Sequence, residues 1–350
     1  MADHPSGPSV AHHFGPDPAT VGGMATVIRV LTEHNVGGEI VDSHPTWRPE
    51  SPLTTVRLVA VAVRALLRMP GGQVAHIHLS ERGSFLREGS LVALAHKRGL
   101  VTVATIHGAS FLPFARRYPR LVSTVLRRAD LVTCMDQEAL ECVRRSTPHV
   151  HCEIVPNPVF IDEGFLPADE TDELVVFAGE IGLRKGADVL HRAWQLVAQR
   201  RPEARCLMVG PVADFAPPSA ERLEVRPPVD PIEMKALLRQ ARVVALPSRA
   251  EGMPMVLAEA MGLGRPFVST PVGGIPELAG AGGMLVPVDD EASLADRLTD
   301  LLADPDLART IGERGRRFCL ETRGVEVMDV RLRELYSGAA TDKARGALSP

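Results

Sequence analysis

The stretch LPSRAEGMPMVLAEAMGLGRP, Leu246 to Pro266, carries the pattern that opens the rest of the chain to reading. An apolar run ends at Leu246 and a loop carries Glu251 and Gly252. A helix then opens near Pro254, a residue suited to a first helical position because its missing N–H has no helical partner there. That sequence of events is one βα unit of a parallel sheet. Outward from it, short β-branched runs alternate with longer amphipathic ones, and the alternation occurs twice. The first half predicts strands at Ser9 to Gly15, Glu39 to Ser43, Val74 to Leu79, Val101 to Ile106, Leu131 to Met135 and Cys152 to Val155, with helices near 23 to 34, 54 to 69, 86 to 98, 118 to 129 and 137 to 147. The second half predicts strands at Leu174 to Ala178, Arg205 to Val209, Leu223 to Val225, Val243 to Leu246, Phe267 to Ser269 and Met284 to Val286. Helices near 186 to 200, 231 to 241, 255 to 263, 291 to 303 and 307 to 318 separate them. The expected fold is α/β, with two Rossmann-like domains facing across a cleft and function in the βα loops at the carboxyl ends of the strands.

Composition agrees. A chain of 350 residues suits two domains of ordinary size, and 45% hydrophobic with 23% charged residues excludes disorder over most of its length. A hinge is expected after Val155-Pro156-Asn157-Pro158, which divides the chain into domains at 1–158 and 159–323, with a C-terminal helix over 324–350 that packs back towards the first domain and frays from Gly338 onward. Net charge is -4, and no Lys/Arg tract is long enough to follow a phosphate backbone, which argues against nucleic acid as a partner. Five widely spaced cysteines without a Cys-x-x-Cys pair fit a reducing cytosol. Residues Met1 to Val10 lack the regions of a signal peptide, and the most apolar stretch, Leu58 to Met69, is interrupted by Arg64 and Arg68 and falls short of the roughly 20 residues a bilayer span needs. A cytoplasmic location is expected.

The chemistry starts at the helix near Pro254. Its free backbone N–H groups, preceded by a Gly that lets the backbone come close, form an anion site suited to a diphosphate. Glu251 at the helix mouth and Glu259 more than one turn inside cannot bind the phosphate and are suited to accept hydrogen bonds from sugar hydroxyls on either side of it. The alternative is that Glu259 caps or pairs on a solvated helix face. Gly22 and Gly23 follow the first strand by a short loop and open a helix, presenting amides in the same way. His107 ends the fourth strand just before Gly108; a strand-end His is a catalytic group or a satisfied structural one. Arg184 and Lys185, taken by themselves, read as a solvated surface pair. Asp304-Pro305-Asp306 lies between amphipathic helices and reads as a turn. Neither a Gly-x4-Gly-Lys-Ser/Thr loop nor a Gly-x-Gly-x-x-Gly after the first strand is present, which disfavours an NTPase and a nicotinamide enzyme. From Phe111 to Arg128, five arginines interleave with Phe111, Phe114, Tyr118, Leu121 and Leu126, as on a helix resting at an anionic membrane surface or one packed on a core.

Glu251 and Glu259, within Pro-Ser-x-x-Glu-Gly-x-Pro-x-Val-x-x-Glu-Ala-Met, resemble the Glu-x7-Glu motif of the family-4 retaining glycosyltransferases of GT-B fold. The likeness continues through Gly264, Pro266, Pro271 to Glu277 and Leu285 to Pro287, upstream through Phe177 to Gly186 and Asn157-Pro158, and to Gly22-Gly23-Met24 and Ile106-His107-Gly108. It implies transfer of a hexose from a nucleotide-sugar donor, UDP favoured, to a hydroxyl of a sugar, lipid-linked or small-molecule acceptor, in polysaccharide, glycolipid or natural-product synthesis. It further implies that the segment of Gly252, Met253, Pro254, Met255 and Val256 holds the diphosphate through its backbone amides. Glu259 would take the ribose, Glu251 would orient the transferred sugar, and Arg184 and Lys185 would neutralise the leaving phosphate. Gly22, Gly23 and His107 would contact the diphosphate or the sugar, and Arg226 the base. His78, Ser80, Ser84, Phe85 and Arg87 resemble the acceptor-side segment of polysaccharide-forming members. Relatives often carry Arg where this chain has Glu180, so a nucleotide-sugar-binding protein without turnover, or a phosphorylase or epimerase on the same fold, is the alternative. No metal and no other cofactor is expected.

Overall fold

The computed structural model describes residues 10–161 and 164–348; the expectations for residues 1–9 and for the last two residues lie outside the described residues. The chain forms two compact units, one of Met1–Pro158 with Val325–Pro350, the other of Val159–Gly324. In the first, β1 (Val10–Pro16), α1 (Gly23–Glu33), β2 (Ile40–Trp47), α2 (Pro52–Arg68), β3 (Val74–Leu79), α3 (Gly83–Lys97), β4 (Val101–Ile106), α4 (Phe111–Arg117), α5 (Pro119–Leu126), β5 (Leu131–Cys134), α6 (Gln137–Ser146) and β6 (His151–Ile154) alternate. The second runs β7 (Leu174–Ala178), α7 (Ala187–Arg200), β8 (Arg205–Val209), β9 (Leu223–Arg226), α8 (Pro231–Gln240), β10 (Val243–Leu246), α9 (Met255–Gly262), β11 (Phe267–Ser269), α10 (Ile275–Gly282), β12 (Gly283–Leu285), α11 (Glu291–Ala303) and α12 (Pro305–Thr322), before α13 (Val325–Leu348) closes the chain.

Each unit is the α/β layer structure that the alternation predicts. Both sheets have six parallel strands, in the orders β2-β1-β3-β4-β5-β6 and β12-β11-β10-β7-β8-β9. Strands such as Val243-Val-Ala-Leu246 are buried along their whole length because helices cover both faces of a parallel sheet, which is why they read as unbroken apolar runs rather than alternating ones. In each sheet the strand order reverses once: between β1 and β3 in the first unit, and between β7 and β10 in the second. At such a reversal the connections leave in opposite directions and open a crevice at the carboxyl edge, where ligands of this architecture bind.

Two expectations need correction. The C-terminal segment does not fray at Gly338: α13 is helical to Leu348 and is fastened to the first unit. Asp329 accepts from the Gly37 N–H at 2.7 Å, Arg331 pairs with Glu153, Tyr336 is fully buried, and Lys343 pairs with Asp130 at 2.7 Å. These contacts bridge 292 positions or fewer of sequence, so the small, polar composition of the tail could not reveal them. The segment from Phe111 to Arg128 is two short helices, α4 and α5, separated at Tyr118, whose following Pro119 starts α5. Phe111, Phe114 and Leu126 are buried in the hydrophobic core of the first unit. On its outer side the segment exposes Arg116, Arg117, Tyr118, Arg120 and Arg127, with Leu112 and Leu121 half-buried. No described helix is long and apolar enough to cross a membrane. The Asp-Pro-Asp at 304 caps α12, with Asp304 accepting from the Leu307 N–H at 2.9 Å and Pro305 at the first helical turn.

Candidate functional site

The loops that follow β7 and β10, the strands flanking the reversal in the second sheet, are locked together. Arg249 donates its backbone N–H to the Arg184 carbonyl at 2.8 Å, and its guanidinium holds Asp188, at the start of α7, through two bonds of 2.8 Å. A bidentate guanidinium–carboxylate pair is geometrically specific, and Arg249 holds the Asp188 carboxyl down to about 2. Gly186, at φ 71°, lets α7 begin against the other loop: a Cβ there would lie 1.9 Å from the Pro247 carbonyl oxygen.

Onto this platform the sequence places its carboxylate and cations. Lys185 Nζ donates to Glu251 Oε1 at 2.7 Å, Ser248 Oγ donates to the same oxygen at 2.8 Å, and Arg184 Nη1 stands 3.8 Å from it. The Glu251 side chain is only 7% exposed, so this pairing is less screened by water than a surface salt bridge would be. Arg184 also reaches the Ala250 carbonyl at 3.2 Å and stands 3.6 Å from Glu180, so that carboxylate is matched by Arg184. Glu251, Arg184 and Lys185 therefore meet in one cluster. Ser248 was not singled out in the sequence. Its position two residues after a strand end, three before Glu251, is the signal that could have found it.

The α9 helix starts at Met255, with Pro254 at its N-cap rather than in its first turn, and no side chain caps that end. Met253, Pro254 and Met255 are buried, Gly252 and Val256 half-buried, and Glu259 half-buried farther along the helix. The loop at 251–252 is held from below by the turn after β11, where the Gly274 N–H donates to the Gly252 carbonyl at 2.7 Å. Gly273 makes this approach possible: its φ is +55°, and a Cβ would fall 2.2 Å from the Glu251 carbonyl oxygen. Gly273→Ala is therefore expected to cost at least about 1–2 kcal/mol for the left-handed backbone alone, with further loss as the 251–252 loop is pushed away. Thermal denaturation should show a lowered Tm for this variant and an unchanged one for Gly71→Ala, where a Cβ meets nothing within 4 Å.

Other expected residues are not joined to this cluster. Arg226 ends β9, an edge strand two places from β7, and its guanidinium pairs with Glu224 at 2.6 Å, so reading a base would require exchanging that partner. In the first unit, Gly22 at φ 151° is the N-cap of α1, which starts at Gly23. Of the acceptor-side residues, Phe85 belongs to the hydrophobic core, Ser84 Oγ accepts from the Ser80 N–H at 3.1 Å, and Arg87 pairs at 2.6 Å with Glu88, a fully buried carboxylate whose other partner is Thr46.

His107 is 7% exposed, at the end of β4, and is not alone. Its Nε2 meets Nδ1 of His78 at 2.9 Å, and His78 Nε2 meets His13 Nδ1 at 2.9 Å. His76, stacked on His78 with ring centroids 4.6 Å apart, joins Tyr336 OH on α13 through Nδ1 and Thr105 Oγ1 through Nε2. The cause is register: in parallel strands His13 pairs with His76 and His78 with Thr105, so side chains two apart on each strand line one face of the sheet, at the β1/β3 reversal. Burial pushes His107 down to about 4 and His13 to about 3, and holds His76 and His78 well below 6.5, so these imidazoles are neutral at physiological pH. Among the described residues His13, His76 and His78 are the group whose ligand atoms, within 4.8 Å of one another, could hold a metal. Of their six ring nitrogens only His13 Nε2 lacks a partner. A cation would have to break existing bonds and bring its charge into a core that offers no anionic ligand from this group.

The family described as "Glycosyl transferases group 1" matches residues 172–304, which include the whole Glu251 cluster. A D-inositol 3-phosphate glycosyltransferase of Streptomyces scabiei is 30% identical over 63% of this chain and 56% of its own length, and one of Streptomyces avermitilis is 31% identical over 53% and 47%. The chain thus spans about half the length of these curated relatives. D-inositol 3-phosphate glycosyltransferase 1 of Catenulispora acidiphila is 31% identical over 71% of this chain and 68% of its own. Among solved structures, sucrose-phosphate synthase from Thermosynechococcus elongatus superimposes with a TM-score of 0.73 at 19% identity, covering 95% of this chain and 100% of that one. Anabaena HepE, in complex with UDP-glucose, does so with 0.71 at 18%, covering 94% and 99%. The fold is shared with these proteins, and through the Catenulispora relative the chain belongs to the group 1 glycosyltransferases, of GT-B type.

Proposed function

We propose that the protein is a retaining glycosyltransferase that moves a sugar from a nucleoside diphosphate sugar, UDP favoured, to an acceptor hydroxyl. The observation that carries this reading is the Lys185–Glu251–Ser248 cluster, with Arg184 beside it, at the strand reversal next to the uncapped start of α9. When the bond between anomeric carbon and phosphate oxygen breaks, negative charge develops on the departing diphosphate; fixed cations and amide dipoles stabilise that charge most where water is scarce. In this reading the amides of residues 252–256 hold the diphosphate, and Arg184 and Lys185 neutralise it without a metal ion. Glu251 orients the transferred sugar while holding Lys185 in place. Glu259 accepts from the ribose. UDP is favoured by the resemblance and by the UDP-glucose bound to HepE.

Purified protein in EDTA, given UDP-, GDP- and dTDP-sugars with an acceptor panel that includes an inositol phosphate, is expected to consume one donor, and UDP at 100 times its Kd should stabilise the fold by about 2.7 kcal/mol. Nucleotide binding with neither transfer nor slow hydrolysis would replace this reading with that of a binding protein, the role suggested by Glu180 at the usual Arg position.

A further inference from the structure

We propose that α2 is a docking surface for an anionic lipid bilayer, with Leu53, Val56 and Leu67 entering the headgroup layer and Arg57, Arg64 and Arg68 meeting its phosphates. The helix packs on the edge strand β2 and beside α3, and of its 17 residues Ala62 and Leu66 are the buried ones. By contrast α1, with 11 residues, buries Ala25, Val27, Ile28, Val30 and Leu31. At about 100° per residue, Leu53, Val56, Ala60 and Leu67 line up along the outer side of α2, and all four are exposed, Leu53 to 78% and Val56 to 66%. Arg57, Arg64 and Arg68 form a second exposed line directly beside the first, with exposed Val61 beyond it. Pro52–Arg68 contains no Asp or Glu, and among the described residues none of these three arginines pairs with a carboxylate. Exposed apolar side chains scattered singly are ordinary, but a continuous line of them rimmed by polar groups marks a surface that meets a partner.

The partner's chemistry follows from the two lines together. Ser51 Oγ accepts from the Thr54 N–H at 3.1 Å and Pro52 stands in the first turn, so the helix start is fixed. The lines are therefore presented as a rigid strip about 25 Å long. An anionic bilayer offers, side by side over any length, phosphate oxygens for the guanidinium groups and an apolar layer just beneath them. An arginine can reach the phosphates while its aliphatic stem stays in the apolar layer. A second copy of the chain fits less well, because antiparallel pairing of α2 with α2 sets arginines beside arginines with no carboxylate on the helix to separate them. Glu50, the acidic residue just before the helix, stands 3.9 Å from Arg48. The docking surface belongs wholly to the first unit and does not depend on the glycosyltransferase reading.

The test is sedimentation of the full chain with vesicles of phosphatidylcholine alone and of phosphatidylcholine mixed equally with phosphatidylglycerol. The protein should partition onto the mixed vesicles, less so at high salt, and barely onto the neutral ones. An arginine at an anionic surface contributes about 1 kcal/mol, or about fivefold. Arg57→Gln, Arg64→Gln and Arg68→Gln combined should therefore lower partitioning about a hundredfold, and Leu53→Ser with Val56→Ser about tenfold or more. All these side chains are exposed, so thermal denaturation should show the variants folded. Leu53→Trp supplies a local reporter: mixed vesicles should shift its emission to the blue relative to wild type, whose Trp47 and Trp194 lie outside α2. Arg116→Gln, Arg117→Gln and Arg120→Gln combined should retain most of the binding. Absence of partitioning onto the mixed vesicles would overturn the proposal. So would partitioning that survives in the α2 arginine variant, or that is lost in the Arg116, Arg117 and Arg120 variant instead. Concentration-dependent dimers that Leu53→Ser dissolves would assign the face to a second copy and overturn it likewise. Sugar transfer is read separately, with soluble donors and acceptors, so its failure leaves these outcomes unchanged.

Discussion

Glu251→Gln is expected to lower kcat by about tenfold to a thousandfold, 1.4 to 4 kcal/mol of barrier, while UDP binds as well as before or slightly better. The two halves of this result have separate causes. Gln can still accept from Ser248 Oγ, so the loop keeps its shape, but the negative charge that holds Lys185 Nζ at 2.7 Å is gone. Lys185 then rests against the diphosphate in ground and transition states alike, and the sugar loses a charged acceptor that orients it. Binding that is equal in both states does not raise kcat. Glu259→Ala should do the reverse, since ribose contacts are the same in donor, transition state and bare UDP: KM rises, UDP affinity falls with it, and kcat changes little. Calorimetry with UDP beside steady-state kinetics reads both variants. Equal loss of UDP affinity in the two would remove the division of roles.

Unfolding free energy should fall steeply as pH drops from 7 to 5, earlier than carboxylate titration alone would cause. Burial lowers the folded-state value of His107 to about 4 and of His13 to about 3, against 6.5 in an unfolded chain. Below 6.5 the unfolded state therefore binds protons that the folded state refuses, which makes stability rise with pH through this window. Stability is full above 6.5, is lost as pH falls, and continues to be lost until the folded values are passed. One ring shifted by about 2.5 units carries about 3 kcal/mol; the rings share bonds, so their contributions do not add. Urea midpoints at pH 7.5, 6.5, 5.5 and 5.0 should show the slope, and His13→Leu should flatten it. A midpoint constant from pH 7.5 to 5.0 would show that water reaches these rings.

The strands and their two sets of six were legible because each is written locally. Unbroken apolar runs mark buried parallel strands, and Gly, Pro and Asp mark where they end. The pairing of Glu251 with Lys185 was not legible: they are 66 positions apart and meet only because β7 and β10 are neighbours in the sheet, a fact of strand order that periodicity does not encode. The histidine row was half legible. His76 and His78, two apart on a strand, must share a face, and so must Thr105 and His107, but only the register of β1 with β3 sets His13 beside them. The continuation of the last helix past Gly338 was not legible, because α13 is held by Gly37, His76, Asp130 and Glu153, residues far away in sequence whose contacts exist only once the first sheet has formed. The sequence by itself determined the strands and the helices other than α4 and α10, since these depend on neighbouring side chains; tertiary structure decided which charges and rings meet, since that depends on the order in which the strands lie.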